Sequence, residues 1–83
     1  MDNNHFEKVC KDFVIRDLNN NSDIEQSVTE DEVFIVWSCK ALQNNKALVS
    51  SKIPNSPYYE ITYNGDKNET YVDIYKNISN ICF

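Results

Sequence analysis

The run Val33-Phe34-Ile35-Val36-Trp37-Ser38-Cys39-Lys40-Ala41-Leu42 constrains the fold more than any other stretch of this chain. It is almost continuously apolar, rich in β-branched and aromatic residues, and contains the only tryptophan. Such a run suits a strand that is buried along one face and, at its start, on both. It is therefore expected to be the central strand of a small sheet. Strict alternation puts Val33, Ile35, Trp37, Cys39 and Ala41 on one wholly apolar face, aimed at a covering helix. Phe34, Val36, Ser38, Lys40 and Leu42 fall on the other.

That helix is expected upstream. Phe6, Val9, Cys10, Phe13, Val14 and Leu18 recur at spacings of three and four, with Glu7, Lys8, Lys11, Asp12 and Asp17 opposite. This is an amphipathic pattern over residues 3–18. Asn3 or Asn4 can cap its start, and Asn19-Asn20-Asn21-Ser22 ends it. Residues 19–32 read as a surface loop with room for one helical turn. In it Thr29 and Glu32 have capping-box spacing, and Glu30, Asp31 and Glu32 form an acidic run just before the strand.

Downstream, Gln43-Asn44-Asn45-Lys46 suits a tight hairpin turn, because Asn tolerates positive φ. The return strand is then Lys46–Lys52, with Ala41 opposite Leu48 and Cys39 opposite Ser50. Two prolines make residues 53–57 a loop. Tyr58–Tyr63 is a strand by composition, and Asn64-Gly65-Asp66-Lys67-Asn68 is the strongest turn signal in the chain. A two-residue turn would set Glu60 opposite Glu69, a like-charge pair. A four-residue loop, Asn64–Lys67, pairs Glu60 with Tyr71 and Tyr59 with Val72 instead. The last strand is Glu69–Asp73. The spacing of Tyr71, Ile74, Tyr75, Ile78 and Ile81 or Cys82 then predicts a short helix over residues 74–81, capped by Asp73 and docked on the core. The sum is one α+β domain over residues 1–83. It has two layers, an N-terminal and a short C-terminal helix packed on a four-stranded antiparallel sheet, with the other sheet face open.

The chemistry available is narrow. His5 is the only histidine and sits in the first helical turn, so no Ser-His or Cys-His pair has a rigid base. One glycine cannot build a phosphate-cradling loop. Asp66 with Glu69, or Glu30-Asp31-Glu32, do not match a calcium-loop pattern. No enzyme activity, cofactor or metal is therefore expected. The three cysteines, Cys10, Cys39 and Cys82, form no Cys-x-x-Cys and read as reduced, mostly buried thiols. With a polar N-terminus and no apolar run of membrane-spanning length, the expected location is the cytoplasm, away from membranes. Lys40, Lys46 and Lys52 cluster on the first hairpin and read as edge lysines that discourage aggregation.

A net charge of −5, from 13 acidic and 8 basic groups, argues against binding a nucleic-acid backbone and suits a basic protein partner. All five tyrosines, from Tyr58 to Tyr75, lie in the C-terminal third. Tyr58, Glu60, Thr62 and Tyr71 would share the open face of their hairpin, and aromatic residues beside carboxylates there resemble a protein interface. The expected partner-binding set is Tyr58, Glu60, Tyr71 and Asp73 with the acidic residues Glu30, Asp31, Glu32, Asp66 and Glu69. If the target normally holds nucleic acid, Glu30, Asp31, Glu32, Asp66, Glu69 and Asp73 could imitate phosphates.

Val36-Trp37-Ser38-Cys39-Lys40, Leu42-Gln43-Asn44, Lys46-Ala47-Leu48, Tyr59 through Lys67, Tyr71-Val72-Asp73 and Tyr75-Lys76 resemble a family of short uncharacterised proteins. These are encoded by phages and prophages of low-G+C Gram-positive bacteria. The resemblance spans residues 29–76 and carries no catalytic residues over. It implies an accessory protein of the bacterial host's cytoplasm that binds and inhibits or modulates a host protein. The target would be basic or nucleic-acid-binding, such as a defence nuclease, which makes the role anti-defence or anti-CRISPR-like. The alternatives are a homo-oligomeric structural or regulatory phage protein that self-associates through an edge strand, for example as a homodimer, and a weak nucleic-acid binder.

Overall fold

The computed structural model describes residues 2–20, 27–54 and 56–76. In chain order these form helix α1 (Asn3–Asn19), a 3₁₀ turn (Glu30–Glu32), and strands β1 (Val33–Ala41), β2 (Asn44–Ser51), β3 (Tyr58–Asn64) and β4 (Glu69–Tyr75). The strands lie side by side in the order β1-β2-β3-β4, all neighbours antiparallel. The N-terminal helix and four-stranded antiparallel sheet match the sequence expectation.

Helix α1 starts one residue earlier than the Asn3 and Asn4 caps allow. Its cap is Asp2, whose Oδ1 accepts the His5 N–H at 2.8 Å. A carboxylate is favoured at a helix N-terminus, and that bond holds the Asp2 carboxyl below its usual value. Phe6, Cys10, Val14 and Leu18 repeat every four residues and are all buried. Each large apolar side chain so placed contributes about 1.5–3 kcal/mol. They meet Ala47 and Val49 of β2 and Tyr59 and Ile61 of β3 in one core. Val9 and Phe13 flank the stripe and stay partly exposed, Phe13 standing edge-on to Tyr59 at 6.2 Å. Burial first, then Glu7, pushes the Cys10 thiol up to about 12.

Strand β1 is not central. It forms one edge of the sheet, and β2 and β3 take the middle. The reason is the helix: α1 lies over β1 and β2, so β1 is covered without a second neighbouring strand. The alternation expected for β1 also breaks. Ile35 pairs with Val49 and Trp37 with Leu48, so two residues of β1 advance against one of β2 and Val36 is the extra residue of a β-bulge. The bulge exchanges faces. Val33 and Ile35 point to the helix side, as expected, but beyond Val36 it is Ser38 that does so. Its hydroxyl meets Asn3 Nδ2 at 3.0 Å and also bonds the Glu7 carboxylate. Trp37, Cys39 and Ala41 turn to the far face, and Cys39 is exposed where a buried thiol was expected.

The turns correct the register as well. The first hairpin closes at Ala41↔Asn44 through Leu42-Gln43, not through Asn44-Asn45, and Cys39 faces Lys46 rather than Ser50. Leu42 takes φ 57° in that turn and stands almost wholly in solvent. Asn44 and Asn45 belong to β2, where Asn45 is 1% exposed and its side-chain amide has no partner among the described residues. Such a group opposes folding. The second hairpin has a four-residue loop, but it is Gly65–Asn68. Glu60 therefore faces Asp73, and Tyr59 faces Ile74. Asn64 Oδ1 accepts the N–H groups of Asp66 (3.1 Å) and Lys67 (3.3 Å), which shapes that loop. A Cβ on Gly65 would lie 2.2 Å from the Gln43 carbonyl oxygen, so only glycine lets the two hairpin tips sit together. Between β2 and β3 the Ser51 and Ser56 hydroxyls are bonded, and Ser50 Oγ donates to the Pro57 carbonyl at 3.1 Å.

Ile74 and Tyr75, assigned by spacing to a C-terminal helix, belong to β4. The rest of that expected helix lies outside the described residues, as does Cys82.

Candidate functional site: the uncovered sheet face

Helix α1 occupies one side of the sheet. Side chains on the other side follow from the register. The row across the sheet middle is Trp37, Leu48, Glu60 and Asp73, one residue from each strand. Beside it run Cys39, Lys46, Thr62 and Tyr71. At one end Tyr58 faces Tyr75, and at the other Asn64 faces Glu69.

The face has two halves of different chemistry. Over β1 and β2 it is apolar: Trp37 is 42% exposed, Phe34 is partly exposed, and Leu48 is half-buried between the strands. Over β3 and β4 it is aromatic and acidic. Tyr71 and Tyr75 are 49% and 52% exposed. Tyr71 Oη donates to Glu69 Oε2 at 2.7 Å, and Tyr75 Oη donates to Glu60 Oε1 at 3.1 Å. Each bond to a carboxylate pushes its tyrosine above the ordinary phenol value, because ionising the phenol would destroy the bond and set two negative charges together.

Glu60 escapes the Glu69 pairing of a two-residue turn, as expected, but faces a different carboxylate, Asp73, so a like-charge pair stands across the ladder after all. It is tolerated because Glu60 has two other partners. Lys46 Nζ lies 3.4 Å from Glu60 Oε2, and Tyr75 holds the other oxygen. Asp73 has neither among the described residues. The boundary between the halves is thus a Lys46–Glu60–Tyr75 chain with a second carboxylate beside it.

Among the described residues the covered side carries one comparable pair. Tyr59 is 1% exposed and donates to Asp17 Oδ2 at 2.6 Å. Burial first, then Asp17, raises its hydroxyl far above a free tyrosine's value. This bond fastens α1 to β3 and is structural.

Of the expected partner-binding residues, the fold brings Tyr58, Glu60, Glu69, Tyr71 and Asp73 together on one face. It does not bring the remaining acids to them. Glu30, Asp31 and Glu32 lead into β1 on the opposite edge, where the Glu32 carboxylate accepts the Thr29 N–H at 3.1 Å. Asp66 sits in the loop between β3 and β4. The three lysines are also divided: Lys46 is on the uncovered face, Lys40 pairs with Asn45 on the helix side, and Lys52 follows β2. Phe34 lies on the face where alternation put it, but Trp37 and Lys46 are members that alternation missed or misplaced, because the bulge left no mark in a run that is apolar on both sides.

His5 is exposed in the first turn of α1. Among the described residues no three His, Cys, Asp or Glu side chains converge as metal ligands, and no helix is long and apolar enough to cross a membrane.

Residues 7–83 match the model of a family described as a family of unknown function (DUF6275). The chain belongs to that family. No curated protein and no solved structure matches it. The matched span takes in α1 from Glu7 onward and all four strands, so the helix-on-sheet arrangement and the exposed sheet face fall within the matched region.

Proposed function

We propose that this chain is a non-enzymatic binding protein that uses the uncovered sheet face to hold and inhibit or modulate another protein. The observation that supports it is the surface formed by Tyr58, Glu60, Tyr71 and Asp73. It is aromatic, acidic, partly exposed and fixed on the rigid pairing of β3 and β4. Aromatic anchors ringed by polar groups are how protein interfaces concentrate binding energy. Among the described residues, Glu60, Glu69 and Asp73 against the single cation Lys46 leave this half of the face negative, which favours a basic partner and speeds its encounter. The same charge repels phosphate backbones, so a nucleic acid is the poorer candidate. The resemblance to short phage and prophage proteins supports a host protein as the target, acting in the bacterial cytoplasm. A basic, nucleic-acid-binding defence nuclease is the reading that fits the charge best.

Charge reversal tests this. The chain and its Glu60→Lys/Asp73→Lys variant serve as baits in a lysate of a low-G+C Gram-positive host, with circular dichroism to show that both are folded. The expected outcome is a co-purifying protein that the variant no longer retains. Unchanged retention rejects this face.

A further inference from the structure

The most exposed element of the sheet is β4. It lies at an edge, with β3 as its one neighbour among the described residues. Its ladder with β3 runs through seven consecutive pairs without a bulge, from Asn64↔Glu69 to Tyr58↔Tyr75. Among the described residues helix α1 lies over β1 and β2 and not over β4: Val72 packs against the margin of the core, but Ile74 on the same side is 47% exposed, and Tyr71 and Tyr75 are open on the other side. A straight edge strand with apolar groups exposed on both faces is a template for a further strand.

Charge decides what kind of strand fits. A second copy would pair antiparallel about a two-fold axis. Centring that axis on Tyr71 sets Glu69 opposite Asp73. Centring it on Asp73 sets Asp73 opposite itself. Centring it on Val72 or Ile74 makes the two Asp73 residues diagonal neighbours. Every one of these registers brings carboxylates together, which is unfavourable. The same carboxylates suit a strand of opposite charge. We infer that β4 accepts an extended segment of a partner protein, added as a fifth strand, in which basic and apolar residues alternate. This deepens, and rests on, the reading of the uncovered face as a site for a basic partner. Basic residues four apart on the added strand lie beside Glu69 and Asp73, their stems against Tyr71 and Tyr75. The apolar residues between them lie beside Val72 and Ile74 on the helix side.

The probe is a synthetic peptide of alternating arginine and valine, matched to the seven residues of β4. It is titrated into the ¹⁵N-labelled full chain at low salt. The expected result is shift change centred on β4, slowed amide exchange at alternate β4 residues, and affinity that falls with added salt. N-methylation of one alternating set of peptide residues abolishes binding and of the other set does not, because only one set faces the ladder. Asp73→Lys weakens the peptide by about tenfold or more. A control peptide with the arginines and valines in two blocks binds clearly less well. Equal binding of both peptides, lost in Glu60→Lys/Asp73→Lys, would overturn the added strand and leave the uncovered-face reading standing. Binding of neither, or a chain already dimeric with β4 amides protected, would overturn the inference outright.

Discussion

The sheet's two edges solve the problem of an unpaired strand in opposite ways. β1 is the more apolar sequence, yet it is the sheltered edge: α1 crosses it, the Glu30–Glu32 turn leads into it, and the Lys52 N–H bonds back to the Glu32 carbonyl at 2.7 Å. Its bulge at Val36 interrupts the ladder, which makes it a poor template for another chain. β4 is less apolar, has no bulge and, among the described residues, has no helix over it. Its protection is its charge, Glu69 and Asp73, which deters like chains and invites basic ones. Hydrophobicity thus marks where the fold invests its stability, and the straight, charged edge marks where a partner has room to act.

If that division is right, the two regions should respond very differently to truncation. Phe6→Ala, beneath the sheltered side, is expected to cost about 3–5 kcal/mol in denaturant unfolding. Ile74→Ala on β4 should cost no more than about 1 kcal/mol, since half-exposed surface positions have little burial to lose. Comparable losses at both would break the contrast.

Tyr59 marks the limit of the helix's shelter, because it lies opposite Ile74 and yet is buried by α1. Tyr59→Phe should lose about 1.5–3 kcal/mol, the usual worth of a hydrogen bond to a charged group. The pH profile sharpens this. Folding raises the Tyr59 hydroxyl above its unfolded value near 10, so the stability it contributes is complete below about pH 10 and drains away as pH rises through the folded value. Unfolding midpoints measured upward from neutral pH should fall at the alkaline end in the wild-type chain, and that fall should be shallower in Tyr59→Phe.

The smallest effect concerns the negative half of the uncovered face. Lys46→Ala should cost about 0.2–1 kcal/mol, as exposed ion pairs do, because it leaves Glu60 facing Asp73 with one partner fewer. The same change in a Glu60→Gln background should cost close to nothing. A double-mutant cycle that shows no coupling would remove Lys46 from this account.

The sequence carries the outline of the fold for physical reasons and loses its details for equally physical ones. Helix α1 is legible because Phe6, Cys10, Val14 and Leu18 repeat at the helical period. The sharing of one face by Tyr58, Glu60, Thr62 and Tyr71 is legible because that follows from strand alternation and an even loop. The bulge is not legible: Phe34, Val36 and Trp37 are apolar whichever side they face, so an inserted residue changes nothing in the pattern. Nor is the Leu42-Gln43 turn, since Leu at positive φ runs against every turn preference and asparagines stand next to it. Tyr71 and Tyr75 show a different ambiguity. A spacing of four brings residues together on a helix but is also even, so it keeps them on one face of a strand. The fold takes the second option, which is why the face is richer in tyrosine than a helical reading allows.

Trp37 is the chain's only indole and lies on the uncovered face solely because Val36 shifts the register, so it reports on the central claim directly. Acrylamide quenching of the free chain should find an accessible indole with red-shifted emission, and a bound basic partner should protect it. A blue-shifted indole that resists quenching in the free chain would show that this side of the sheet is covered, and would contradict the account.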